Sequence, residues 1–296
     1  MLQPKINPYF VLLLAVTSIS LSAIFVKLAS APSGVIAFYR LFFTVVIMLP
    51  FFLAKYRHEL KHINKKDWLL SSIAGIFLAF HFILWFESLN YTSVASSTVL
   101  VTLQPLFAFA GAYFFFKERF SVRAILSSVI AIGGSLVISW GDFKISGTAL
   151  FGDILALIAC ALITAYLLVG QTVRKRISST TYTFVVYGIS MVTLFIYVLA
   201  KGEPLGPYPA TDWILFLLLA IFPNLLGHSL LNWSLKWLST TTISMAILLE
   251  PVGATILAYF ILDESVVLTQ IVGGVIIFAG LIYFLNDNKK NKERST

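Results

Sequence analysis

Ten apolar runs, each near twenty residues long and joined by short polar connectors, constrain this chain more than any other feature in it. They lie at roughly 8–28, 34–54, 68–88, 92–114, 123–140, 152–170, 182–200, 213–234, 240–261 and 268–286. About 20 apolar residues in a helix cover the ~30 Å hydrocarbon core of a bilayer. A helix also satisfies its own backbone N–H and C=O groups where no water can. The expectation is an all-α membrane protein of ten transmembrane helices. Composition agrees: 59% of the 296 residues are hydrophobic and 11% are charged, where soluble domains carry about 25% charged residues. Once ten spans are set aside, too little chain remains for a soluble catalytic domain.

The net charge of +8 would suit a nucleic-acid binder, so the placement of the basic residues matters. With both termini on one side, 17 Lys and Arg fall in tails and loops of that side, from Lys5 through Lys55, Arg57, Lys117, Arg119, Arg174 and Arg176 to Lys289 and Arg294. Only Lys144 and Lys201 fall in loops of the other side; Lys27 and Arg40 lie within spans. Basic loops stay cytoplasmic, so the charge reports an even span count with both termini inside, and nucleic acid is excluded as a partner. Ala29-Ser30-Ala31 has the look of a signal-peptide cleavage site, but the apolar stretch before it is long and Lys27 interrupts its end. It reads as a retained first span. One cysteine, Cys160, excludes an intramolecular disulfide. Trp68, Trp140, Trp213 and Trp237 fall near span ends, where indole prefers the interface; Trp85 and Trp233 lie deeper.

Shifting the chain by 146 residues lays its first half on its second. Ser88, Ser93, Leu103, Pro105, Ala108, Ala112, Tyr113, Phe114, Glu118 and Gly134 meet Ser234, Ser239, Leu249, Pro251, Ala254, Ala258, Tyr259, Phe260, Glu264 and Gly280. Apolar composition matches Leu and Ala by chance, but not a proline and a glutamate 13 residues apart in register. The domains are therefore a first five-helix repeat at 8–140, a second at 152–286, and a basic tail at 287–296. Five is odd, so the second repeat enters the membrane from the opposite side: two inverted repeats, 5 + 5. Such repeats place a solute site near the midplane between the halves.

The residues also resemble a known family. Ala23-Ile24-Phe25-Val26-Lys27 closing span one, Tyr39-Arg40 in span two, the Ser88-Leu89 to Ser97 link and the two Pro-to-Glu blocks resemble EamA-type members of the drug/metabolite transporter superfamily, over essentially the whole chain. Span one reads Thr17-Ser18-Ile19-Ser20 where EamA proteins often carry Trp-Gly. The resemblance implies a multi-pass carrier of the bacterial cytoplasmic membrane that moves small metabolites, often outward.

Ionisable groups inside a span cost about 2.5–3.5 kcal/mol at the helix centre, so each needs a cavity or a partner. Glu250 lies mid-span and its repeat mate Gln104 at similar depth; each precedes a proline, Pro251 and Pro105, which bends a helix and frees a carbonyl. Burial raises a carboxyl's pKa, which would suit proton coupling. Asn224, His228 and Asn232 follow four apart on span eight, and His81 and Trp85 likewise on span three. Arg40 offers a cation to an anionic solute or a structural contact to Glu87 or a carbonyl. Ser18 and Ser22 share a face of span one. The candidate substrate-binding set is His81, Trp85, Gln104, His228, Asn232, Glu250, Arg40 and Ser18, with Pro105 and Pro251 at helix kinks. Glu118 and Glu264 sit at span ends as structural anchors. Thr164 and Gln171, and Thr183, Tyr187, Ser190 and Tyr197, read as interhelical packing, as do the small residues Ala108/Ala112 and Gly133-Gly134. His58 and His62 have metal-ligand spacing but no third ligand beside them.

No nucleophile–base pair, cofactor motif or metal set stands out. The leading expectation is a secondary transporter of small, amino-acid-like organic solutes, exporting by alternating access, with the lipid bilayer as its other partner. A channel, a non-transporting sensor and, further off, a lipid-modifying enzyme are the alternatives.

Overall fold

The computed structural model describes residues 4, 6–138, 140, 147–261, 263 and 265–293, with only the backbone described from 288 onward. Lys5, Lys144, Glu264 and Arg294, used in the sequence argument, lie outside the described residues. Ten apolar helices follow one another: α1 (Pro8–Leu28), α2 (Ser33–Lys55), α3 (Lys65–Ser88), α4 (Val94–Phe116), α5 (Val122–Ile138), α6 (Gly147–Val173), α7 (Ser179–Lys201), α8 (Ala210–Ser234), α9 (Thr240–Ile261) and α10, whose apolar part is Leu268–Asp287. Nine are long enough to cross a bilayer; α5, at 17 residues, is the short one. No strand occurs among the described residues. The chain is an all-α, multi-pass membrane protein.

Local chemistry sets where the helices begin and break. Ser93, Ser178 and Ser239 each accept a hydrogen bond from a backbone N–H three residues on, capping α4, α7 and α9. Both α4 and α9 are interrupted ahead of a proline. The first halves are Val94–Val101 and Thr240–Ile247; the second halves start at Gln104 and Glu250. Pro105 and Pro251 thus take the second position of a new helix, where a missing N–H costs nothing. A third break, at Ser20, divides α1 into Pro8–Ile19 and Leu21–Leu28. In α8, Pro223 lies inside a π-helical stretch, Ala220–His228. The linker between α2 and α3 holds a 3₁₀ turn, Arg57–His62.

The 146-residue shift is visible in the packing. Repeat mates pack on each other: α5 on α10, α2 on α7, and the second half of α4 on the first half of α9. The remaining contacts exchange in pairs. α3 lies on α6 as α8 lies on α1, and α3 touches α7 as α8 touches α2. The α5–α10 contact is two-fold symmetric at the level of atoms. A Cβ on Gly134 would lie 2.7 Å from the Gly273 carbonyl and 2.8 Å from the Ile277 nitrogen; one on Gly280 would lie 2.9 Å from the Ser127 carbonyl and 2.8 Å from the Ala131 nitrogen. Ser127, Ala131 and Gly134 are the shift mates of Gly273, Ile277 and Gly280. The only two non-glycine residues with positive φ among the described residues are also mates, Lys117 at 57° and Asp263 at 53°. Each immediately precedes the glutamate that closes a Pro-to-Glu block, so both blocks make the same left-handed turn one residue before they end.

Large apolar side chains divide by helix face. Phe82, Trp85 and Phe86 on α3 are buried among α2, α6 and α8, whereas Phe114, Phe115, Val122, Leu268 and Val275 are exposed on the outside of α4, α5 and α10. Exposed aromatics and aliphatics on this scale face lipid.

Candidate functional site

At mid-depth, six helices surround a small cavity. Ile19 comes from the break in α1, His81 and Trp85 from α3, Val101 and Gln104 from either side of the break in α4, Ile163 from α6, His228 and Leu231 from α8, and Ile247 and Glu250 from either side of the break in α9. The breaks position the polar groups. Gln104 and Glu250 each occupy the first residue of a half-helix, where the positive end of the helix dipole faces the cavity. The two are repeat mates, so the pseudo-two-fold passes between them.

Five of the eight residues expected to bind a solute line this cavity: His81, Trp85, Gln104, His228 and Glu250. His81 Nδ1 lies 3.0 Å from the Ala159 carbonyl. A carbonyl only accepts, so Nδ1 carries the proton and a neutral ring offers Nε2 to the cavity as an acceptor. The His81 and Trp85 rings stack at 5.8 Å between centroids, and Phe82 meets His228 edge-on at 5.5 Å. Asn232 stands one turn below. It donates to the His228 carbonyl at 2.7 Å and to the Tyr166 hydroxyl, leaving its Oδ1 without a protein partner among the described residues. The same holds for Trp85 Nε1, Gln104 Oε1 and both ring nitrogens of His228. Each such buried group costs about 1–3 kcal/mol unless something pairs with it.

Ser18 and Arg40 do not line the cavity. Ser18 Oγ donates to the Leu14 carbonyl of its own helix at 2.8 Å. Arg40 is fully buried behind Phe82, with its guanidinium carbon 4.1 Å above that ring. Nε donates to Asn224 Oδ1 at 2.6 Å and Nη1 to Ser22 Oγ at 2.8 Å, while Asn224 donates onward to Thr44 at 3.1 Å. Glu87 is engaged instead with Asn90 and Tyr91. The polar stripe on α8 therefore serves three neighbours: Asn224 meets α2, His228 the cavity, and Asn232 α6. The π-helical stretch, with a wider turn than an α-helix, separates residues that regular i, i+4 spacing would stack. Tyr166 and the apolar liners Ile19, Val101, Ile163 and Ile247 carried no signal beyond their apolar spans; Tyr166 sits two residues after Thr164, the one hint available.

The cavity measures about 20 Å³ open to water centres, room for about one water. On the side carrying the end of α6 lies a knot of hydrogen bonds. Gln171 Oε1 accepts from the Thr240 N–H at 2.6 Å, its Nε2 donates to Glu118 at 3.2 Å, and Thr240 Oγ1 donates to the Leu167 carbonyl at 3.2 Å. Nearby, Arg176 forms a two-pronged ion pair with Asp67, and Arg174 donates to the Asn232 carbonyl at 2.9 Å. The repeat mate of Gln171 is Phe25, so the opposite face lacks this knot. There, between α1, α4, α9 and the near ends of α5 and α10, a pocket of about 110 Å³ remains, with Ala23, Lys27, Thr98, Pro251 and Gln270 in its wall.

Comparison with known proteins agrees with this architecture. A Bacillus subtilis protein named uncharacterized transporter YxxF is 27% identical over 252 residues, 84% of this chain and 80% of its own. An S-adenosylmethionine uptake transporter from Rickettsia bellii is 24% identical over 264 residues, 86% and 84% of the two chains. A solved crystal structure superposes with a TM-score of 0.73 at 17% identity, covering 93% of this chain and 94% of the other, which establishes the shared fold. The EamA-like transporter family model matches twice, over residues 7–140 and again over 150–286. With both five-helix halves matched, the chain belongs to the EamA-like transporter family and is a membrane transporter.

Proposed function

We propose that the chain is a secondary carrier that exports small, amino-acid-like solutes by alternating access, and that the mid-depth cavity is its solute site. The observation that carries this reading is the convergence of unpartnered buried polar atoms from α3, α4 and α8 on one cavity beside Glu250. Trp85 Nε1, the Gln104 nitrogen and one His228 ring nitrogen supply donors; Glu250, the Gln104 oxygen, His81 and the other His228 nitrogen supply acceptors. A carboxylate among neutral acceptors suits an ammonium group on the solute, and the same carboxyl is placed to carry a proton when the site is empty of solute. Rocking one repeat against the other would open the closed face and close the open one. A cavity with room for about one water fits a carrier better than a channel, which needs a continuous path. The distribution of the basic residues supports a bacterial inner-membrane carrier with both termini in the cytoplasm. The Rickettsia relative is named for uptake, so direction belongs in the test.

The test is solute flux in proteoliposomes, in both directions, across amino acids and metabolites that carry an amino-acid moiety. Solute-dependent flux with counterflow is expected, and Glu250→Gln should flatten its pH dependence. A single-channel conductance, or no flux across the whole panel, overturns the reading. Wild-type flux from Glu250→Gln at every pH removes Glu250 from the mechanism.

A further inference from the structure

Glu250 and Pro251 are consecutive, yet each lines a different cavity: Glu250 the mid-depth one and Pro251 the pocket toward the face where α1 ends. The same helix faces continue between them. On α1 the series is Ile19, Ala23 and Lys27; on α4 it runs from Gln104 back through Thr98 to Ala95. The pocket has a chemistry of its own. Lys27 is the one charged residue in its wall among the described residues. The Nζ of Lys27 has only a long contact, 3.4 Å, to the Leu89 carbonyl. Thr98 is 1% exposed, and its hydroxyl has no protein partner among the described residues. Val94 and Ala95 line the pocket at the start of α4, whose first bonds are those of Ser96 and Ser97 back to Ser93, and the first amides of a helix have no partner within it. Two acids on neighbouring helices are occupied: Asp153 accepts from Ser96 at 3.0 Å, and Glu87 accepts from Asn90 and Tyr91.

A cation, an unpartnered buried hydroxyl and a helix N-terminus around one apolar-floored pocket form an anion site. We propose that this pocket is a second solute subsite, in series with the mid-depth cavity, that holds the carboxylate of a small organic solute on Lys27, Thr98 and the first amides of α4. Ala254 and Ala258 on α9 give the remainder of such a solute a shallow apolar floor. The subsite extends the transport reading, but it is tested without flux, so either can fail alone.

The test uses the full chain with Ala95→Cys. Ala95 is half-buried in the pocket wall and the native Cys160 is fully buried, so Cys160→Ala gives a clean background. Labelling rates are compared for a membrane-impermeant sulfonate methanethiosulfonate and its trimethylammonium counterpart. The anionic reagent should react about tenfold faster once intrinsic reactivity is corrected for, the order expected from one nearby unit charge in a partly hydrated pocket. Lys27→Gln should abolish that preference and Lys27→Arg should keep it, which also separates loss of charge from loss of fold. Butyrate in the tens of millimolar should slow labelling, and n-butylamine should not. Equal rates for the two reagents, a preference that survives Lys27→Gln, failure of butyrate to protect, or no labelling from either side overturns the proposal.

Discussion

The α5–α10 contact makes a sharp test of the repeat geometry, because a neighbouring glycine serves as a control. A Cβ on Gly134 would approach the Gly273 carbonyl to 2.7 Å, while one on Gly133 meets nothing within 4 Å. Ordinary contact begins at 3.4 Å, so Gly134→Ala forces two backbones apart by about 0.7 Å. The two nearest obstructing atoms, the Gly273 oxygen and the Ile277 nitrogen, are main chain and cannot rotate away. Replacing glycine by alanine in a helix gains about 0.8–1.0 kcal/mol, but that gain is common to both variants and cancels between them. What remains is overpacking, about 1–3 kcal/mol. Gly134→Ala is therefore expected to be less stable than Gly133→Ala by that amount, in unfolding of the purified protein by SDS in mixed micelles. The pseudo-two-fold adds a second condition: Gly280→Ala should match Gly134→Ala, since its Cβ meets the Ala131 nitrogen at 2.8 Å. The double variant should cost less than the sum, because helices already parted accept the second methyl. Equal stability of Gly133→Ala and Gly134→Ala, or a Gly280→Ala that behaves like Gly133→Ala, refutes the packing and the symmetry with it.

Arg40→Lys should destabilise by about 1–3 kcal/mol for each buried partner it strands, because a single ammonium cannot reach both Asn224 and Ser22 as the guanidinium fork does; wild-type stability in the same micelle assay would contradict this. Gln171→Ala leaves the buried Thr240 N–H without its acceptor and should cost about 1–3 kcal/mol, with faster hydrogen exchange at Thr240 as the local readout; unchanged exchange would count against the knot. Glu59, in the loop before α3, is held below the ordinary carboxylate range: burial pushes its pKa up, but the Ser178 and Thr181 hydroxyls and the Ser178 backbone outweigh it. A depressed pKa contributes stability above the unfolded-state value, about 4.3, that is lost as pH falls through the folded value. Acid should therefore loosen this loop from the start of α7, read as proteolysis near Arg57 below about pH 4, and Glu59→Gln should remove that pH step.

Much of the fold is written in the sequence because the solvent is apolar. In lipid every backbone group must be satisfied within its own helix, so the length of each apolar run alone locates a span, and the ten runs match α1 to α10 within a few residues. The breaks in α4 and α9 were legible for a separate reason, since Pro105 and Pro251 announce them. The break at Ser20 has no such residue, and it depends on a contact from afar: Ser20 Oγ donates to the Val16 carbonyl at 3.0 Å and reaches the Glu250 carbonyl at 3.3 Å. The π-helical stretch of α8 was likewise hidden, although Pro223 sits within it. At the site, Gln104 and Glu250 stood out as polar residues at matching depth. That Arg40 turns to Asn224 and away from the cavity follows from tertiary packing against Phe82, which periodicity does not encode.

The Gln171 knot has a thermodynamic consequence. If the halves were identical, a carrier rocking between two inverted forms would find them isoenergetic, each the mirror assignment of the other. Only pairs that differ across the shift can tilt that balance. Gln171 against Phe25 and Thr240 against Val94 put two hydrogen bonds on one face that have no counterpart at the mates' positions among the described residues. If the chain rocks as proposed, such mismatched mates would set its resting bias, and exchanging residues across the shift, Gln171→Phe with Phe25→Gln, would invert which face waits open.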